Sequence, residues 1–141
     1  INIAADLPAP PGGWVYEVDL EWLAEQNPAI IAADIWEAYY PGAFGFEVDD
    51  TSVAEATRNE IMSMDVFAGS DAVVNGRVYL FDNEFMGTPR IVAAIAYTAK
   101  WYHPELFDDL DPQAIYQQYL TDFMRIDYDL DEHGVFVYPE P

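Results

Sequence analysis

The chain has 141 residues, 52% of them hydrophobic and 16% aromatic, enough for one domain with a real core and too apolar for wholesale disorder. Against 26 Asp and Glu stand only 5 Lys and Arg, a formal net charge of −21. That balance argues against nucleic acid and anionic membrane surfaces as partners, since both need a basic footprint. The lack of cysteine excludes a disulfide framework, a thiolate zinc site and a cysteine nucleophile.

Ile1 to Ala5 is short, apolar and β-compatible, and it runs into a Pro/Gly loop over Pro8 to Gly13 that cannot be helix or central strand. Trp14 to Val18 reads as a brief strand. Asp19 is placed to cap a short helix over Leu20 to Gln26, which Asn27-Pro28 ends. The run Ala29 to Ala33 predicts a fully buried strand. From Asp34 to Asp50 the chain is irregular and aromatic (Trp36, Tyr39, Tyr40, Phe44, Phe46). Such a long connection is either functional or held by rings that fill core beneath it.

Asp50, Thr51 or Ser52 caps the next helix, over Val53 to Met64. Asn75-Gly76 between β-branched residues predicts a two-residue hairpin turn with positive φ at both positions. A strand follows, then a loop from Asp82 to Thr88. Thr88 and Pro89 are suited to the N-cap and first position of a helix that reaches Tyr102. This helix is apolar nearly all round, which predicts burial on more than one side. Gln113 to Arg125 forms a further amphipathic helix, and Val135 to Tyr138 adds an edge strand. Strands alternating with helices give an α/β class. In such sheets ligands bind in the crevice beyond the carboxyl ends of the strands, which directs attention to the 82–90 loop with Phe85, Met86 and Arg90.

Chemistry-bearing motifs are few. His103 and His133 have no metal-ligand spacing, and no nucleophile elbow, phosphate-binding loop or dinucleotide fingerprint occurs. The run Asp127 to Asp131 starts like a calcium loop but places Glu132 and Tyr138 where Gly and an acid are needed. No catalytic residue, metal site or cofactor is assigned, and the chain is read as a non-enzyme. No apolar run is long enough to span a membrane as a helix. No leader is visible and the chain opens at Ile1, so it reads as an excised or processed piece whose missing part could hold an anchor or targeting signal.

Five pieces in order carry a resemblance: INIAA at 1–5; VDLEWL at 18–23 with Asn27-Pro28; AVVNGRVY at 72–79; Pro89-Arg90; and YHPELF at 102–107. Together they resemble the C-terminal lobe of periplasmic-type substrate-binding proteins of iron–siderophore, haem and cobalamin ABC importers. The resemblance implies a single Rossmann-like three-layer lobe with a mostly parallel central sheet over residues 1–126, and an acidic and aromatic extension over 127–141. The absent partners would be an N-terminal lobe, a metal-chelate ligand (an iron(III) chelate, haem or cobalamin) and an ABC permease.

An extracytoplasmic location, with anchoring through a segment outside this sequence, follows from the same resemblance. Glu21 matches the acid that docks on the permease; its plain alternative is a first-turn acid favoured by the helix dipole. Arg90 matches a cleft position facing an anionic chelate, and Trp14, Tyr39, Tyr40, Phe44, Phe85 and Met86 are candidates for the cleft wall. An isolated lobe would expose an apolar face and could form a homodimer. The competing class is a stand-alone acidic α/β interaction or scaffold domain.

Overall fold

A computed structural model describes residues 19–141; the strands expected at 1–5 and 14–18 lie outside the described residues. Helix α1 (Leu20–Glu25) begins where the Asp19 carboxylate accepts from the Trp22 amide at 2.9 Å, satisfying one of the donors that a helix start leaves free. Asn27, in the left-handed region at φ 44°, turns the chain toward strand β1 (Ile31–Ile35). That strand begins two residues later than the sequence suggests, where the Ile31 amide donates to the Arg77 carbonyl. It is also less buried than expected: only Ile35 is fully buried, because among the described residues β1 has a neighbour on one side only.

Strand β2 (Val78–Asp82) is the centre of the sheet. It pairs in parallel with β1, with Ile31 opposite Val78 and Ile35 opposite Asp82. On its other edge it pairs antiparallel with β3 (Val137–Tyr138), so the three-stranded sheet is mixed. Alternation along β2 sends Val78 and Leu80 to one face and Tyr79 and Phe81 to the other. The first pair joins a core with Ile35, Ala54, Ile61 and Ala72; Ala54 and Ile61 come from helix α2 (Ser52–Ser63). The second pair meets a core of Phe85, Ala93, Tyr97, Trp101, Tyr116 and Phe136, built largely from helices α4 (Ile91–Tyr102) and α5 (Pro112–Gln118). Helix, sheet, helix is the layered outcome expected when both sheet faces are apolar.

The Asn75-Gly76 pair does not make a hairpin. The preceding residues form a one-turn helix, α3 (Asp71–Val74), capped at its start by Ser70. Gly76, at φ 68°, closes it: the Gly76 amide donates to the Val73 carbonyl at 3.1 Å and the Arg77 amide to the Ala72 carbonyl at 2.7 Å. These are the two bonds of a Schellman ending. The same dipeptide chemistry serves hairpins and helix ends alike, since both need a left-handed residue, and here Ser70-Asp71 supplied a helix start that decides between them.

Two further expectations change. Helix α4 starts at Ile91 with Arg90 at the cap; the Thr88 hydroxyl accepts from the Arg90 amide at 3.2 Å, in a turn that precedes the helix. Ala93, Ala94, Tyr97 and Trp101 face the core, but Val92, Ile95 and Tyr102 remain exposed, so α4 is apolar on a side that no described element covers. After α5 the chain widens into a π-helical stretch, Tyr119–Met124, ended by Arg125 at φ 56°. The tail then returns to the sheet. Phe136 and Val137 are core residues, and Val135 and Gly45 form a bridge beside β3.

Candidate functional site

Because β1 and β2 run in parallel and end in register at Ile35 and Asp82, the loops that follow them emerge at one rim of the sheet. A side-chain bond closes the gap between the two strand ends: Asn83 Nδ2 donates to both oxygens of Asp34, at 3.0 and 2.8 Å. On the β1 side, Trp36 starts a turn in which the Tyr39 and Tyr40 amides both donate to its carbonyl. The Glu37 carboxylate accepts from the Gly42 amide and folds this loop onto itself.

On the β2 side, the loop is built around Asp82. One of its oxygens accepts from the Glu84 amide at 3.0 Å and starts a 3-10 turn over Asn83–Phe85. Its other oxygen lies 3.4 Å from Arg90 Nη1, and that nitrogen also meets the Tyr116 hydroxyl at 3.4 Å. Arg90 Nη2 lies 3.2 Å from Glu84 Oε2. The guanidinium sits 5.7 Å from the ring centre of Phe46 and 5.8 Å from that of Phe85, within cation–π range of both. One side chain thus ties together the end of β2, the turn, helix α5 and the 43–49 loop.

The electrostatics follow from partial burial. Burial pushes the Asp82 carboxyl up, against the pull of the Glu84 amide and the Arg90 charge. Burial works against the Arg90 charge too, but the Tyr116 hydroxyl, Asp82 and Glu84 outweigh it and raise the guanidinium further. Burial likewise raises the Tyr116 hydroxyl, with Arg90 opposing. The cluster holds two carboxylates for one cation, with Asp34 and Glu37 nearby on the same edge, so the rim is acidic around an internally balanced arginine.

The structure sorts the sequence candidates. Tyr39 is 77% exposed and Met86 49%; both stand at the rim. Tyr40 is half-buried and packs against the α2-side core. Phe44 and Phe85 have little or no surface, 8% and 0%; they are floor beneath the rim, since each ring fills a core cluster. Arg90 is at the rim with its guanidinium already engaged. Glu21 is exposed in the first turn of α1, and Trp14 lies outside the described residues.

Trp36, noted in the sequence only as part of the aromatic loop, also stands at the rim, 52% exposed at its start; its position directly after the β1 run was the available signal. Sequence reasoning missed Asp34, Asn83 and Glu84, whose contacts join residues too distant in sequence for any spacing rule to find.

A separate polar cleft of about 770 Å³ runs along α5 and the tail, lined by Gln113, Gln117, Arg125, Tyr128, Asp129 and Asp131 among others. It shares no residue with the rim. Gln113 and Gln117 are occupied in holding the tail through Leu130, Asp131 and Tyr128. Among the described residues no three His, Asp or Glu side chains are grouped to hold a metal ion.

A parallel strand pair whose loops meet at one rim, layered between helices, is a recurrent setting for ligand sites in α/β domains, and a binding protein of similar fold is found among solved structures. The chain is similar to a TroA-like periplasmic binding protein, which supports the family reached from the sequence pieces. That protein is FepB from Veillonella parvula: 26% identity, a TM-score of 0.65, and a match covering 86% of this chain and 35% of the other. The chain therefore spans about a third of that protein's length. Neither a protein-family model nor a curated protein sequence matches the chain.

Proposed function

We propose that the chain is the C-terminal lobe of the solute-binding component of an ABC importer, capturing a ferric siderophore or a related metal chelate outside the cytoplasm and delivering it to the permease. The observation that carries this reading is the rim itself: in a fold similar to a TroA-like periplasmic binding protein, two parallel strands end in register, their loops present Trp36, Tyr39 and Met86 to solvent, and Arg90 is paired with Asp82 at the end of β2. Flat aromatic surfaces with a few convergent polar groups suit a large chelate. Glu21, exposed at the start of α1, is assigned to permease docking.

Titration of the chain with ferric catecholate, ferric hydroxamate, haem and cobalamin, followed by tryptophan fluorescence, tests the reading. Saturable quenching by at least one chelate, weakened in Trp36→Phe, is expected. No saturable response to any of the four overturns it. The reading as a stand-alone interaction domain draws on one observation, the uncovered apolar side of α4 at Val92, Ile95 and Tyr102. A chain that ignores every chelate yet self-associates in light scattering would favour that second reading.

A further inference from the structure

Arg90 faces two carboxylates that differ in kind. The Asp82 side chain is 11% exposed and balances the charge that burial of the guanidinium brings inside. The Glu84 side chain is 68% exposed and approaches Nη2 from the solvent side. The other contacts of the guanidinium are internal: Nη1 meets Asp82 and Tyr116, and the rings of Phe46 and Phe85 lie 5.7 and 5.8 Å away.

Glu84 is surplus to neutrality, since Asp82 already supplies one negative charge for one positive. Exposed ion pairs contribute little to stability, and Asp82 repels this one. The backbone of Glu84 is nevertheless fixed on both sides, its amide donating to Asp82 and its carbonyl accepting from the Thr88 hydroxyl at 2.7 Å. The carboxylate can therefore swing into solvent by side-chain rotation alone, with the turn left in place.

We propose that Glu84 is an internal counter-ion that occupies the anion position of Arg90 and yields it to a carboxylate-bearing solute arriving at the rim. The inference rests on the reading of the rim as the solute site. The exchange replaces one carboxylate by another on the same nitrogen, so the buried Arg90–Asp82 pair keeps its balance throughout. It also sets a threshold. A simple monocarboxylate must compete with an intramolecular group and gains nothing else, whereas a solute with several carboxylates, or one that also reaches Trp36, Tyr39 and Met86, has contacts that Glu84 lacks.

Arginine side-chain NMR on the full 141-residue chain tests this, with the Arg90 Nε–H signal assigned by its disappearance in Arg90→Lys. Metal-free citrate is the probe and acetate the monocarboxylate comparison. Three proteins are compared: the unmodified chain, Glu84→Gln, and Glu47→Gln, which removes an exposed like charge next to Phe46 in sequence without touching Arg90 or the turn that carries Trp36 and Tyr39.

Citrate is expected to shift the Arg90 signal at lower concentration than acetate. Glu84→Gln is expected to lower the half-saturating citrate concentration by about two- to five-fold, the scale of an exposed ion pair, with Glu47→Gln leaving it unchanged. Equal gains in both variants would overturn the proposal in favour of long-range charge. No gain in Glu84→Gln while Arg90 still responds would overturn it and leave the rim reading intact. Silence at Arg90 in every variant also overturns it, and the chelate titration then judges the rim separately.

Discussion

Replacing Arg90 by alanine should unfold the rim's support as well as remove a charge. The Arg90 and Asp82 side chains retain 14% and 11% of their exposure, and breaking a buried pair by deleting one partner costs about 3–5 kcal/mol. Asp82 keeps its bond from the Glu84 amide and burial already favours its protonated form, so the lower end applies to the ionic part. Losing contact with Phe46 and Phe85 adds about 0.5–1 kcal/mol for each ring.

The total is about 4 kcal/mol. At a urea slope of about 2 kcal/mol per M this lowers the midpoint by roughly 2 M. Arg90→Lys keeps the charge but loses the planar fork that reaches three oxygens, and should fall between the two at about 1–2 kcal/mol. Urea unfolding followed by circular dichroism reads both. An Arg90→Ala midpoint within about 0.3 M of the unmodified chain would refute the claim that this residue joins strand, turn, loop and α5.

Three further outcomes follow from other parts of the molecule. Gly76→Ala should cost about 1–2 kcal/mol, because φ is 68° while an added Cβ would meet only Arg58 Nη2 at 3.9 Å; calorimetry finding no loss would remove the Schellman ending. Salt should raise the melting temperature, because Arg58, Arg77 and Lys100 donate to backbone carbonyls and leave the net charge of −21 largely unpaired at the surface. A melting temperature that falls between 0.05 and 1 M salt, on the scale of strong screening, would contradict this.

Acidification should also stabilise the fold through Glu140, whose carboxyl is pushed up to about 7 by burial, against a hydrogen bond with Tyr97. A raised folded pKa means that this contribution is complete below the unfolded value of 4.5 and is lost as pH rises through about 7. Glu140 as a residue stays exposed, so solvent screens the effect and it is modest. Glu140→Gln should flatten that part of the melting profile between these two values, and an unaltered profile would count against it.

The elements whose causes are local were legible in the sequence. Asp19 as an N-cap announced α1, and the turn at Asn75-Gly76 announced the strand that follows it and became the centre of the sheet. Asn75-Gly76 was legible as a left-handed turn but not as which one, because hairpins and Schellman endings make the same demand on the backbone and differ only in what precedes them. The exposed side of α4 was hidden for a different reason. Helix composition reports how apolar a surface is, and says nothing of whether another element arrives to cover it.

At the site, the rim's position followed from strand topology and its aromatic content from the loops. The internal engagement of Arg90 did not, since Asp82, Glu84, Tyr116 and Phe46 are brought to it by three separate elements. Phe85 illustrates the same limit: adjacent in sequence to exposed Met86, it points the other way, into the core.

In the proposed function, solute meets the chain at the joined ends of β1 and β2. Backbone and side-chain NMR mapping with a diamagnetic gallium(III) siderophore chelate locates the contact. The largest saturable shifts are expected at Trp36, Tyr39, Met86 and Arg90. Shifts confined to the Gln113–Asp131 cleft, or none at the rim under saturating chelate, would contradict it.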